Sequence, residues 1–239
     1  PVIYSHLVYM YTGDPLKEAL KIITEYREKN APVWVDSGMY TSFSTFAGAP
    51  CYSEEIFLNN EDEIKKLRAA TGKYAGQNLD RDKYVDMRKF HSNESLIYET
   101  GSIDDVITSY SLPDVMVSTD CLDYPPGQGH PQGAATYPYF FRLLVKERGL
   151  LSLPEAVRRC TLLPAKAANL PSKGRIAEGM DADIVILDWE RLRENADFPG
   201  MGDPGAPPSG VKHVFVNGVH AIKNEKRLPA VNAGLCMKR

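Results

Sequence analysis

Several features that would place this 239-residue chain at once are scarce or missing. Its four cysteines, Cys51, Cys121, Cys160 and Cys236, include no CxxC pair. That fits free thiols in a reducing compartment better than a disulfide framework or a structural zinc site. No apolar run approaches the roughly 20 residues of a membrane helix, and the first residues lack the basic start and apolar middle of a signal peptide, so a cytoplasmic location is expected. Positive charge is not in excess: 28 Lys and Arg face 31 Asp and Glu, a net charge of −3. The signs are interspersed, so neither nucleic acid nor a membrane is an expected partner. The five histidines form no HxH pair. What is present, 43% hydrophobic and 25% charged residues, is ordinary for a globular protein able to build a core.

The organising stretch is residues 114–120, where Val115 and Val117 stand in a short β-branched run that ends on Asp120. A carboxylate at the C-terminal end of a buried parallel strand is placed for catalysis; capping of the strand end is the plainer alternative. A turn-rich loop, 121–131, comes next. Earlier, residues 2–7 read as a strand that carries His6 near its C-terminal end. Asp14 as N-cap, Pro15 at the first helical position, and Leu16, Ala19, Leu20, Ile23 and Tyr26 at helical spacing predict a helix. Glu25 and Lys29 form an i,i+4 pair, Asn30 closes the helix, and residues 31–36 form a second strand. Strand, amphipathic helix and strand make a βαβ unit with a parallel sheet. Residues 37–45 are small, polar and aromatic, suited to lining a pocket. The long excursion over 46–112 has helical patches at 61–70, 81–90 and 103–110. It is too long for a simple connection and reads as a lid over a strand-end site or as structural elaboration. His91 within it reads as a surface residue.

Farther on, residues 135–148 form an apolar helix, and Ser152 with Glu155 reads as a capping box that opens a helix over 155–160; another short helix covers 164–170. From Gly174 the texture changes to strands and turns: a strand at 184–187, a Pro/Gly-rich loop at 199–210, and a hairpin whose Asn217-Gly218 pair demands a type I′ turn. His213 and His220 on that hairpin read as solvent-facing. Pro1 fits three readings: trimming of an initiator Met, an N-terminal proline base, or a chain that begins in mid-domain. The family motifs of the chain favour the last.

Gly174-Arg175-Ile176-Ala177-Glu178-Gly179-Met180-Asp181-Ala182-Asp183-Ile184-Val185-Ile186-Leu187-Asp188, together with Val214-Phe215-Val216-Asn217-Gly218, resembles the C-terminal signature of the amidohydrolase superfamily. Leu150 to Val157, Leu163-Pro164-Ala165 and Ser118-Thr119-Asp120 continue the likeness. His6 in Ser5-His6-Leu7, Asp36 with Tyr40, Ser44 and Thr45, and His130-Pro131 resemble most closely the N-acyl-D-amino-acid deacylase (D-aminoacylase) branch, beside the hydantoinases and dihydroorotases. The resemblance implies the C-terminal part, strands six to eight, of a metal-dependent (β/α)8 TIM barrel of the α/β class. A lid-like insertion (about 46–112) would interrupt residues 1–172, and residues 173–239 would form part of a small β-sandwich. It implies hydrolysis of an amide or cyclic amide C–N bond with one or two zinc ions. His6 would be a metal ligand, Asp120 both ligand and catalytic proton carrier, and Tyr40, Ser44, His130 and Gln132 would contact the substrate.

The departures from the family pattern carry equal weight. The family's first-strand HxH, its middle-strand Cys, Glu or carboxylated Lys ligand and its fifth-strand His are absent. Three parallel strands have two open edges and cannot close a barrel, so a second chain bearing the HxH half is the expected partner, in a higher oligomer. Gln132 stands where the deacylases have Arg after His-Pro, and Val8 where they have Lys. Loss of both cations argues against a free amino-acid carboxylate as the main handle and for a neutral or cyclic amide. Two rival readings remain: a non-catalytic half-barrel that supports a partner enzyme, and an independent α/β binding domain.

Overall fold

Short runs of β-branched and aromatic residues become strands in the computed structural model, which describes residues 2–229 and 231–236; Pro1, a possible base by its position in the sequence, lies outside the described residues. The strands are β1 (Val2–Tyr4), β2 (Val33–Ser37), β3 (Ser42–Phe46), β4 (Leu67–Ala69), β5 (Ser95–Glu99), β6 (Val115–Val117), β7 (Ile184–Leu187), β8 (Val211–Val216), β9 (Val219–Lys223) and β10 (Lys226–Arg227). They form three separate sheets.

The first sheet is parallel, in the order β1-β2-β6, with Tyr4 beside Val35 and Val35 beside Val115. The expected βαβ unit is thus present. Its helix, Gly13–Glu28, buries Leu16, Leu20 and Ile23 in a core with Val35, Val106, Val115 and Phe140. Each such side chain contributes about 1.5–3 kcal/mol by leaving water. Two local expectations change. The first strand stops at Tyr4 because His6 turns left-handed (φ 44°, ψ 48°) and Leu7–Met10 winds into a helical turn. Thr12, not Asp14, occupies the N-cap position, and Asp14 lies in the first turn, paired with Lys17 at 2.8 Å.

The second sheet, β3-β5-β4, is antiparallel and redraws the long excursion. The unit starts at Ser42 rather than at 46, and it has a core of its own built on Tyr52, Phe57, Tyr84, Met87 and Leu96. The patch at 61–70 resolves into a helix, Glu61–Lys65, followed by β4, while the helix Arg81–Phe90 is as expected. Ile103–Ser109 does not belong to this unit: Ile103, Val106 and Ile107 pack in the core of the parallel sheet. His91 is not free at the surface but sits between Asp86 (3.4 Å) and Glu94 (3.2 Å).

The third sheet is an antiparallel meander, β10-β9-β8-β7. Asn217 (φ 49°) and Gly218 (φ 78°) both adopt positive φ, as a type I′ turn requires. His213 and His220 are half-buried and bond each other, Nδ1 to Nε2, at 3.1 Å, with the His220 ring stacked on Phe215 at 4.3 Å; the solvent-facing expectation is corrected. The helix expected at 135–148 runs Gln132–Phe140 and continues as a π-helix over Phe141–Glu147, with Pro138 inside it. Ser152 caps Leu153–Cys160 by accepting from the Glu155 N–H, but Glu155 turns to Arg158 and Arg159 instead of completing a box. Among the described residues no helix is long and apolar enough to cross a membrane.

Candidate active site

The C-terminal ends of the three parallel strands carry the polar residues of interest. Asp36, on β2 and 9% exposed, accepts from the His6 backbone N–H at 2.7 Å through Oδ1 and from the Ser5 hydroxyl at 2.8 Å through Oδ2. Both carboxylate oxygens are therefore committed to holding the end of β1. In the sequence Asp36 stands out only as part of a motif, although it is an acid at a strand end just as Asp120 is. That shared position is the signal for its role. Beyond Asp36, Ser37 accepts from the Val8 N–H at 3.2 Å and donates to Ser109 at 2.8 Å, which pins the turn after His6 from below.

His6 and Asp120 are alike in one respect. Both are non-glycine residues in the left-handed region, φ 44° and 47°, a conformation that costs on the order of 1 kcal/mol or more and persists only where the surroundings impose it. His6 Nδ1 is buried and has no hydrogen-bond partner. A buried ring nitrogen left without a partner is costly unless something binds it. Asp120 is half-buried, and burial pushes its carboxyl above the usual carboxylate range; His6 opposes this rise and Asp36 adds to it. The three groups therefore share one electrostatic neighbourhood, with an open imidazole nitrogen and a carboxyl of raised proton affinity.

Of the four residues expected to contact substrate, Tyr40, His130 and Gln132 are neighbours, and the four differ in availability. The Tyr40 ring meets His130 edge-on, with centroids at 4.8 Å, and also packs against Tyr139 and Phe198; burial raises its hydroxyl pKa strongly. Ser44 is buried with an unpartnered hydroxyl. His130 is 2% exposed. Its Nδ1 accepts from the Gln132 N–H at 3.1 Å, so Nε2 must carry the proton that bonds Ser42 Oγ at 3.0 Å. Burial drives its pKa down to about 3, and it stays a neutral ring. Gln132 is fully buried, donating from Nε2 to the Asp120 carbonyl and accepting from the Tyr9 hydroxyl at 3.3 Å through Oε1. Val8, at the other altered position, is 2% exposed.

The donor set can be tested against the metal that the resemblance implies. His6, with its open Nδ1, and Asp120 fit two positions of a ligand set. Among the described residues, however, no group of three or more His, Cys, Asp or Glu side chains is placed to hold an ion. The two candidates are thus part of a set that these residues do not close.

Comparison with known proteins shows what the chain is similar to. Residues 132–220 match the Amidohydrolase family. The N-acyl-D-glutamate deacylase of Alcaligenes xylosoxydans xylosoxydans is 36% identical over 106 residues, 43% of this chain and 20% of that protein. The N-acyl-D-aspartate deacylase of the same organism is 32% identical over 122 residues, 51% and 24% of the two chains. The dihydroorotase of Methanothermobacter thermautotrophicus is 30% identical over 120 residues, 44% and 28%. Among solved structures, the N-acyl-D-glutamate deacylase of Bordetella bronchiseptica, determined with zinc and a phosphonate inhibitor, superposes with a TM-score of 0.73 at 22% identity, covering 92% of this chain and 46% of that one. A D-aminoacylase gives 0.75 at 22% identity, over 98% and 49%. The chain is thus similar to amidohydrolases, among them N-acyl-D-amino-acid deacylases, as its motifs led one to expect. It spans about half the length of these solved relatives.

Proposed function

We propose that these residues are the C-terminal part of a metal-dependent amidohydrolase that hydrolyses a C–N amide bond, in an N-acyl-D-amino acid or a cyclic amide. In this reading β1, β2 and β6 stand as strands six, seven and eight of a TIM barrel. Residues 1–172 are barrel with an inserted cover, and 173–239 are part of a small β-sandwich. The observation that carries the proposal is the pairing of His6 and Asp120. Both are forced into left-handed backbone at the ends of strands that flank β2, one with an orphaned ring nitrogen and the other with a carboxyl of raised pKa.

His6 Nδ1 and the Asp120 carboxylate would hold the metal, zinc in the first instance. A bound ion supplies an activated water, its pKa lowered toward 7, and polarises the amide carbonyl. Asp120 takes the proton from the attacking water and returns it to the leaving nitrogen, a task for which a raised pKa suits a carboxylate. Asp36 fixes the His6 backbone, and Tyr40, which is only half-buried, would face the substrate. The remaining ligands come from polypeptide outside these 239 residues, which we take to be a second chain with the HxH motif. Gln132 and Val8 leave no cation at the two altered positions, which favours a neutral or cyclic amide over a substrate gripped by its carboxylate.

The test is turnover and metal content of the assembled enzyme on cyclic and N-acyl amides. Asp120→Asn is expected to lower kcat by about 10²–10⁴-fold without loss of assembly, and His6→Ala to lower the bound metal. Native mass spectrometry should find the HxH-bearing chain. Full turnover in Asp120→Asn would end this reading.

A further inference from the structure

We propose that Gln132 is a positioning residue, which sets the backbone of Asp120 through a buried polar chain running from the antiparallel sheet to the candidate catalytic carboxylate, and that it does not bind substrate. The inference rests on the amidohydrolase reading above and assigns Gln132 a different part in it.

The chain can be followed atom by atom. Ser42, on β3, receives the Nε2 proton of His130 at 3.0 Å; His130 Nδ1 accepts from the Gln132 N–H at 3.1 Å; Gln132 Nε2 donates to the carbonyl of Asp120; and Gln132 Oε1 accepts from Tyr9, in the turn after His6, at 3.3 Å. A carbonyl only accepts, so the amide orientation is determined: nitrogen to Asp120, oxygen to Tyr9. Every side chain in the chain of contacts is buried, Ser42 at 2% exposure, His130 at 2%, Gln132 at 0% and Tyr9 at 8%. None has surface to offer a substrate.

Two further observations agree. Gly133 lies so close to the loop after Asp120 that a Cβ there would come within 2.4 Å of Cys121 Sγ, so the start of the helix Gln132–Phe140 is seated directly on the catalytic turn. The same loop is held at its far end by the segment that follows β4, since Gly129 N–H donates to the Ala70 carbonyl at 2.8 Å and Gly72 N–H to Gln128 Oε1 at 2.8 Å. Asp120 is left-handed, and L-residues leave that region unless held. The hydrogen bond from Gln132 grips the carbonyl of that very residue. Through Tyr9 the same amide reaches the segment after His6, so one side chain braces both candidate ligands.

The experiment uses the assembled, metal-loaded enzyme. Gln132→Met keeps the volume and removes both hydrogen bonds. It is expected to lower kcat by about tenfold to 100-fold, as misplacement of a catalytic group by an ångström does, with KM changed less than about threefold on both a neutral cyclic amide and a carboxylate-bearing N-acyl amino acid. Gln132→Glu supplies a second readout. Only the protonated acid can donate to the Asp120 carbonyl, so its kcat relative to the unaltered enzyme should rise as pH falls. A KM raised about tenfold or more on the carboxylate-bearing substrate alone, with kcat retained, would overturn the proposal in favour of a binding role. So would a Gln132→Glu profile that runs parallel to that of the unaltered enzyme. Should Gln132→Met fail to fold, the Gln132→Glu profile still decides. Activity that persists in Asp120→Asn would instead remove the amidohydrolase reading itself, and the two failures are distinguishable.

Discussion

The antiparallel sheet β3-β5-β4 and the C-terminal meander β7–β10 are of similar size and both antiparallel, yet they are stabilised in different ways. The first closes over its own core, where Tyr52, Phe57, Tyr84, Met87 and Leu96 are fully buried. Two tyrosine hydroxyls of that core are satisfied locally: Tyr84 donates to the Tyr52 carbonyl at 2.7 Å and Tyr52 to the Leu96 carbonyl at 3.0 Å. In the meander no strand residue is fully buried, and Val185, Ile186 and Leu187 of β7 are 55%, 47% and 37% exposed. An apolar strand in the sequence therefore reports a tendency to be covered, while only the surroundings decide whether it is. The antiparallel unit has a core of its own, whereas the meander leaves apolar residues of β7 exposed.

The largest effect that would sharpen this contrast is in the insertion. Phe57→Ala should destabilise the protein by about 3–5 kcal/mol, the usual result of emptying an aromatic site in a closed core, measured by urea unfolding. A loss below about 1 kcal/mol would mean that the second core does not stabilise the insertion as described. An intermediate effect, dependent on pH, belongs to the parallel sheet. The hydrogen bond from Arg158 at 2.7 Å does most to hold the Glu155 carboxyl down to about 2; burial opposes it, and the bond from Arg159 at 2.8 Å adds to it. Arg158 also reaches Asp114 at the start of β6, and Arg159 the carbonyl of Tyr110. With the folded value depressed below the usual 4.5, the stabilisation is fully present above that value and is lost as pH falls toward about 2. Glu155→Gln should flatten the acid limb of the stability curve in that window; an unchanged limb would show the ion pairs to be idle. The smallest effect is on the meander: Ile186→Thr should change stability by less than about 0.5 kcal/mol, and a loss as large as that in Phe57→Ala would erase the comparison.

Where the local code is strong, the structure follows it. Pro15 and the spacing of Leu16, Leu20 and Ile23 mark the helix Gly13–Glu28, and Asn217-Gly218 marks the hairpin turn. The insertion is harder to read because Ser42-Phe43-Ser44-Thr45-Phe46 alternates small polar and aromatic residues, a pattern that suits a pocket wall as well as a strand. Ser95–Glu99, its partner, is only five residues long and follows the helix Arg81–Phe90 through a tight turn closed by Glu94 N–H on the His91 carbonyl. Ile103–Ser109 falls with the insertion by position along the chain, although its apolar residues pack with Leu16 and Val115; packing partners so far apart leave no local trace.

The candidate site divides in the same manner. His6 and Asp120 are conspicuous because their residue types stand at the ends of apolar runs, and a motif names them. Asp36, His130 and Gln132 carry the same donors and acceptors in any sequence, and what each does depends on what surrounds it. Tyr9 meets Gln132 across 123 positions of sequence and Ser42 meets His130 across 88. The chain by itself determined the helix, the turns and the two residues on which the chemistry is proposed to rest, because periodicity, caps and positive-φ turns act within a few residues. Tertiary structure alone decided that Gln132 is sealed in, that His130 stays neutral and that His6 Nδ1 is left open, because burial and hydrogen-bond partnership arise only when distant segments close around a polar group.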